Sequence, residues 1–428
     1  MSSEAISLIV DAKPAEHDLR QWWTLAALAL LIRFVIMPYG GFPVDIGTFK
    51  AWATALAEKG PRSFYGEGFA DYLPGYLYIL WVIGEIHSYV RFNDQAFLFA
   101  LKLPAVIADL VTAWLVFVIA RRFNPAIALP VSASYLLNPG IIFNSSFWGQ
   151  ADAVGGVFAL AGLATLGQIS PIATAILMTV GAIIKPQTAP AAIPVALYLL
   201  RNLARPATGP PRWDLMLGAG LASLGTILIV IVPFGLSLVR LFGVLRTALG
   251  VYPFSSVVAF NFWGATQRFW VGDELRWLGV QHYVWGVAMT LVATAAVTVW
   301  AWRHTTPRGA LLAAAAALLV AFVLPTRIHE RYLLPAVAMF AAAGAVDRRM
   351  LRIYGVLSVV LLVNLIYAYT RPYVDTFSLP GWLEHTLFSE VATRVWSALA
   401  ALMLPYALLI VFSQPSEPAK AARPAPSV

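Results

Sequence analysis

The run Tyr72-Leu73-Pro74-Gly75-Tyr76-Leu77-Tyr78-Ile79-Leu80-Trp81-Val82-Ile83-Gly84-Glu85-Ile86-His87-Ser88-Tyr89-Val90 is apolar enough to cross a bilayer, and its reading fixes where every later loop falls. Counted as a span, it exports the Arg121-Arg122 pair that follows the apolar run 98–120. Lys and Arg in short loops mark the cytoplasmic side. If 72–90 instead lies at, or dips into, the outer surface, the basic loops agree. Arg121-Arg122, Arg201 with Arg205 and Arg212, Arg303 with Arg308, Arg348-Arg349-Arg352, and Lys420 with Arg423 then share one side. This second arrangement is the expected one. Both termini are then cytoplasmic, and residues 38–97 form one outer loop.

Around that segment lie apolar runs near 21–37, 98–120, 126–143, 152–168, 172–185, 187–201, 214–235, 283–302, 309–325, 333–346, 353–370 and 396–412. Runs of this length suit a bilayer, giving about twelve spans. The stretch 172–201 reads either as two short helices or as one broken hairpin. A second large outer loop covers 236–282, with shorter ones around Phe143–Asp152, Pro325–Arg331 and Arg371–Arg394.

The composition agrees. Of 428 residues, 60% are hydrophobic and 12% charged, with a mean hydropathy of +0.75. A soluble domain carries roughly 25% charged residues. A cytosolic enzyme, a disordered chain and a nucleic-acid-binding domain are therefore poor readings, and the net charge of +8 records topology rather than a polyanion partner. With no cysteine, neither a disulfide nor a thiolate metal site can form. The six histidines show no paired-ligand spacing. His329-Glu330 opens like HExxH, but Leu333 stands where the second histidine belongs. Glu4, Asp11, Glu16 and Asp18 dilute any basic leader, and Pro38-Tyr39-Gly40-Gly41 replaces a small-residue cleavage site. The first apolar run is thus expected to be retained. Residues 1–412 read as a single transmembrane domain and 413–428, rich in Pro, Ala and Ser, as a disordered cytoplasmic tail.

Polar residues gather in the outer loops. Ile46, Phe49, Trp52, Ala53 and Leu56 recur at helical spacing with Lys50 and Glu58 off the stripe, an interfacial amphipathic helix. Asp45 stands immediately before it, as an N-cap or as a reactive carboxylate. Asp71-Tyr72-Leu73-Pro74 offers a second acid. Asn144-Ser145-Ser146-Phe147-Trp148-Gly149-Gln150-Ala151-Asp152 lies at the outer mouth of two spans. Lys185-Pro186-Gln187 interrupts an apolar hairpin, and a lysine there needs a partner or water. Asp109, in the second span, is the obvious acidic counterpart. Thr326-Arg327-Ile328-His329-Glu330-Arg331-Tyr332 packs four ionisable groups between two spans. Trp263, after Asn261-Phe262, is expected to line the same cavity.

An outward-facing membrane site has no nucleotide pool, so a transferred group is expected to arrive on a lipid, as a phosphate ester. Arg327, His329 and Arg331, helped by Lys185, can hold such a phosphate through charge-assisted hydrogen bonds. A lipid phosphate leaves without a general acid, and one carboxylate must take the acceptor's proton. Asp45 or Asp71 fits. Asp71, Tyr72, Trp148, Gln150, Asp152, Gln187, Asn261, Trp263 and Glu330 are the supporting set. No D-x-D occurs in the outer loops, so no metal is expected and the sugar lipid is a substrate, not a cofactor.

These stretches resemble the GT-C glycosyltransferases, polytopic enzymes that use polyprenyl- or dolichyl-phosphate sugars. The chain is most similar to the branch of dolichyl-phosphate-glucose transferases and bacterial mannosyltransferase-like relatives. The resemblance is carried by Val44-Asp45 through Trp52 to Phe64-Tyr65, by Asp71-Tyr72-Leu73-Pro74, by Lys185-Pro186-Gln187 and by His329-Glu330-Arg331. It implies an all-α GT-C-like bundle with surface helices in the first outer loop, Asp45 as catalytic base, and His329 and Arg331 at the donor phosphate. It further implies inverting hexosyl transfer, mannose foremost, to a glycan, glycolipid or protein outside a bacterial or archaeal membrane. Leu73 stands where Asp-Tyr-Pro-Pro is common in that family, so no particular acceptor is implied. A lipid flippase or small-molecule transporter is the alternative; it would show two repeated halves, and none is found.

Overall fold

The computed structural model describes residues 16–66, 70–371 and 379–415. Glu4, Asp11 and residues 416–428 of the expected tail lie outside the described residues. The chain runs through α1 (Glu16–Ile36), α2 (Pro43–Lys59), α3 (Pro74–Val90) and the long α4 (Asp94–Phe123). A broken stretch follows: α5 (Ala128–Leu136), α6 (Pro139–Ile142) and a π-helical turn, Phe143–Trp148. Next come α7 (Asp152–Ala164), α8 (Pro171–Ile184), α9 (Ala192–Ala204), α10 (Trp213–Ile231) and α11 (Leu238–Gly250). After α12 (Phe262–Thr266), a small ribbon pairs β1 (Arg276–Trp277) with β2 (Val280–Gln281). The rest is α13 (His282–Arg303), α14 (Pro307–Val323), α15 (Leu334–Ala343), α16 (Arg349–Thr370), α17 (Gly381–Leu387) and α18 (Glu390–Phe412).

Helix starts follow local chemistry. Proline, which leaves no N–H unpaired in a first turn, opens α2, α3, α6, α8 and α14. Asn93, Ser170, Thr306 and Ser389 cap α4, α8, α14 and α18 through their side chains.

This is an all-α membrane protein. Six helices, α1, α4, α10, α13, α16 and α18, are long and apolar enough to cross a bilayer. A bent pair, Pro125–Leu136 with Pro139–Trp148, makes a seventh if its two parts form one span. Each of the other expected runs also holds a helix, but a short one. The 13 residues of α7 and α9, the 14 of α8 and the 10 of α15 rise roughly 15–21 Å, against a hydrocarbon core of ~30 Å. Length therefore qualifies six or seven independent crossings among the described residues, not twelve. The stretch 172–201 is a hairpin of α8 and α9 broken at Lys185.

Helices α14 and α15 are buried almost all round, as helices apolar on every face must be. The Ala313–Ala317 run leaves room for close neighbours. By contrast, α10 keeps only 11% of its most apolar window inside the protein and exposes Leu217, Leu221 and Ile229. A wide apolar flank facing outward is what a lipid solvent allows.

Loop contacts sort into two ends. At one, Arg121 pairs with Asp18, Arg122 donates to the Leu166 carbonyl, Arg308 lies over Phe123, and Asn202 donates to the Thr305 carbonyl. At the other stand residues 37–50, 70–73, 143–152, 185–187 and 325–332. Helix α3 has both its ends there. Tyr72, just before it, meets Lys185, while His87 in its last turn stacks on Phe97 at the start of α4. It therefore lies across the bundle's end, packed so closely on α2 that a Cβ on Gly84 would sit 2.0 Å from the Ala53 carbonyl oxygen.

Candidate functional site

Helix α2 carries Asp45 in its first turn, three residues into the helix. The expected N-cap role does not hold, because Phe42 precedes the helix and Asp45 reaches across to another loop. Its Oδ2 accepts from the Trp148 indole N–H at 2.7 Å and from the Gln150 amide at 2.5 Å. The π-helical turn and the left-handed Gly149 aim these two donors. A Cβ on Gly149 would strike Ile46 and the stem of Lys102.

From Gln150 the network continues. Tyr72 donates to Gln150 Oε1 at 3.4 Å and receives the Lys185 ammonium at 2.7 Å. Lys185 lies 3.5 Å from Asp152 Oδ1, and Arg331 Nε lies 3.8 Å from Asp152 Oδ2. Arg331 also donates to Glu330 at 2.8 Å, and His329 Nδ1 lies 3.8 Å from the other Glu330 oxygen. The break at Lys185-Pro186 and the 3-10 turn Glu330–Leu333 place irregular backbone here, where it lines a cavity.

That cavity encloses about 380 Å³. Asp71, Tyr72, Lys185, Gln187, Arg327 and Arg331 supply its polar wall, and Leu245, Leu249, Val287, Leu318 and Ala321 its apolar wall. Burial pushes the Asp71 carboxyl above its usual range, with Lys185 acting against the shift. Burial likewise raises Glu330, opposed by Arg331. His329 is driven well below the ordinary imidazole range, first by burial and then by Arg331 and Lys185.

The structure thus brings together Asp45, Asp71, Tyr72, Trp148, Gln150, Asp152, Lys185, Gln187, His329, Glu330 and Arg331. Several expectations need correction. Asp109 is not the partner of Lys185; it pairs with Arg33 at 3.4 Å and accepts from Ser145 at 2.6 Å, both acid and base fully buried. Its place was taken by Asp152, which follows the turn that Trp148 and Gln150 occupy. Burial, with Arg331 and Lys185 beside it, disfavours a charge on His329, so the expected phosphate contact would be made by a ring N–H. Arg327 is engaged by Asp273 through two contacts, at 2.7 and 3.3 Å. Asn261 and Trp263 do not reach the cavity wall. Asn261 caps α12 by accepting from the Trp263 and Gly264 amides, and Trp263 donates to the Leu324 carbonyl inside the core.

Sequence reasoning missed Arg33, Tyr252 and Asp273. Tyr252 packs edge-on against His329 with ring centroids 4.8 Å apart. Only Asp273 left a signal, as half of the acidic pair Asp273-Glu274 in the 236–282 loop. Among the described residues no group of His, Asp and Glu stands arranged as metal ligands. No protein-family model and no curated protein matches the chain.

Proposed function

We propose that the protein is an integral-membrane glycosyltransferase with a GT-C-like bundle of about twelve apolar segments, transferring a hexose from a polyprenyl-phosphate donor. The observation that carries this reading is the two-sided cavity. One wall presents Lys185 and Arg331 with Gln187 and Tyr72. The other is apolar, built from Leu245 and Leu249 on the exposed α11, Val287 on α13, and Leu318 and Ala321 on the buried α14. An amphiphile with a phosphate head and a hydrocarbon chain fits that division. Asp45 stands one hydrogen-bond relay away from Lys185, through Gln150 and Tyr72.

In the proposed reaction an acceptor hydroxyl attacks the anomeric carbon. The bond from that carbon to the phosphate oxygen breaks, its electron pair leaves on the lipid phosphate, and the proton passes to Asp45. Trp148 and Gln150 hold Oδ2, and among the described residues Oδ1 has no hydrogen-bond partner, so it is available to the hydroxyl. A single displacement inverts the anomeric centre. The carboxylate-rich end is proposed to face outward, opposite the basic loops. Purified protein in nanodiscs, given mannose, glucose and arabinose on polyprenyl phosphate with mixed acceptors, should release free polyprenyl phosphate from one of them. No release from any donor, with the protein folded, removes the reading.

A flippase reading draws on the buried Arg33–Asp109 pair, since ionised groups inside a membrane commonly mark transport paths. Neither residue lines the cavity, however.

A further inference from the structure

Arg327 was expected at a phosphate, yet its guanidinium is already committed. It grips Asp273 with two contacts, donates to the Leu249 carbonyl at 3.2 Å, and lies 4.6 Å over the Tyr283 ring. Thr326 adds a hydroxyl to the same Asp273 oxygen at 3.1 Å, and the Arg327 amide donates to the Phe254 carbonyl. Its backbone is left-handed, φ 65°, a conformation a non-glycine residue keeps only where its surroundings hold it. Asp273 is almost completely buried, so this is a built joint and not a surface pair.

The Leu249 carbonyl belongs to the last turn of α11. None of the 13 residues of that helix is buried. Leu245, Ala248 and Leu249 nonetheless line the cavity, while Val239 and Phe242 point their apolar side chains outward. The helix follows the left-handed Gly235 and ends at Gly250. An element with so little packing is the part of a wall that opens most readily.

We infer that Arg327 is a positioning residue: with Asp273 it latches α11 shut as the movable wall of the cavity, and release of α11 opens the cavity sideways to the membrane. The use of that opening by a lipid phosphate rests on the glycosyltransferase reading; the latch does not.

The chain has no cysteine, so Ala248→Cys gives a single thiol on the inner face of α11. In the full-length protein in nanodiscs it should react slowly with a membrane-impermeant maleimide. Arg327→Gln or Asp273→Asn should accelerate labelling roughly tenfold, the scale of one lost charge-assisted contact. The two together should do no more than either alone, because they break the same joint. Tyr283→Leu keeps the ion pair and removes the ring beneath it. It should give a smaller acceleration, and it serves if the charge variants do not fold. A residue that merely bound phosphate would leave labelling unchanged. Unaltered labelling in folded Arg327→Gln and Tyr283→Leu proteins overturns the latch. Polyprenyl phosphate alone should slow labelling; acceleration by the variants without that protection supports the latch and removes the donor reading.

Discussion

Asp45 accepts the indole N–H of Trp148 at 2.7 Å, tying α2 to a turn 103 positions later in the chain. That bond separates two roles which the sequence left open. A carboxylate that caps its own helix is satisfied locally. This one is instead fixed by side chains from the loop before α7, in the network that leads to Lys185 and Arg331.

Asp45→Asn preserves the shape and the acceptor oxygen that Trp148 and Gln150 need, so folding should survive. Transfer should fall by roughly 10²–10⁴, because an amide takes no proton. Asp71→Asn is the matched comparison, since Asp71 lines the cavity and among the described residues its carboxylate has no side-chain partner. Initial rates with a polyprenyl-phosphate sugar decide between them. If only Asp71→Asn abolishes transfer, the base is Asp71; near-normal rates in both end the single-carboxylate mechanism.

Lys185→Met and Arg331→Gln should weaken the donor more than the acceptor. Each removes a charge-assisted contact of about 1.5–3 kcal/mol, or roughly 10–150-fold in the KM for the lipid donor. Titrating donor and acceptor separately checks this. An acceptor KM that rises instead would place the phosphate elsewhere.

The apolar runs and basic loops carried most of the helix positions, because both follow from how a bilayer solvates side chains. The clusters around Asp45, Asp71, Lys185 and His329-Glu330-Arg331 were legible for a related reason: polar residues among apolar runs must be satisfied by each other. Partners were not legible. Lys185 was matched with Asp109 on charge alone, whereas the turn at Lys185-Pro186 carries it to Asp152 and leaves Asp109 to Arg33. Nothing in the sequence spacing encodes that choice. Asn261 and Trp263 misled because a cap and a core tryptophan use the same residue types as a binding site.

The Arg33–Asp109 pair makes its own prediction. Arg33→Met should destabilise the protein by roughly 3–5 kcal/mol, since it strands a buried carboxylate. Arg33→Met with Asp109→Leu should recover much of that loss, because two buried charges then become packing. Reversible unfolding in mixed micelles measures both. A double variant no better than the single one would show the pair to be more than structural.

With both ends of α3 at the site end of the bundle, a cysteine at Tyr89, which is 85% exposed, should share a side with one at Trp382. Both should react with an impermeant maleimide added from outside sealed cells. A cysteine at Trp213, at the start of α10, should react only after permeabilisation. Cytoplasmic labelling at Tyr89 would mean that α3 spans and that every later loop is inverted.

His329 links the site to pH. Burial among Tyr252, Tyr332, Arg331 and Lys185 keeps its imidazole neutral well below the ordinary value of 6.5. As pH falls through ~6.5 the unfolded chain takes up a proton that the folded protein refuses, so stability drops by as much as roughly 1.4 kcal/mol per pH unit. The contribution is complete above that value and is lost toward acid. Glu330, raised by its own burial, acts with the opposite sign, because it holds a proton in the folded state that the unfolded chain releases as pH rises. The comparison must therefore be between the wild type and His329→Gln at each pH, not the wild-type curve alone. The stability difference between the two should move in favour of His329→Gln as pH falls from about 7.5 to 5. A difference that stays flat across that interval would mean that His329 takes up its proton in the folded protein at the same pH as in the unfolded chain; one that moves in favour of the wild type toward acid would mean that the folded protein holds the proton, and the phosphate would then meet a third cation beside Lys185 and Arg331.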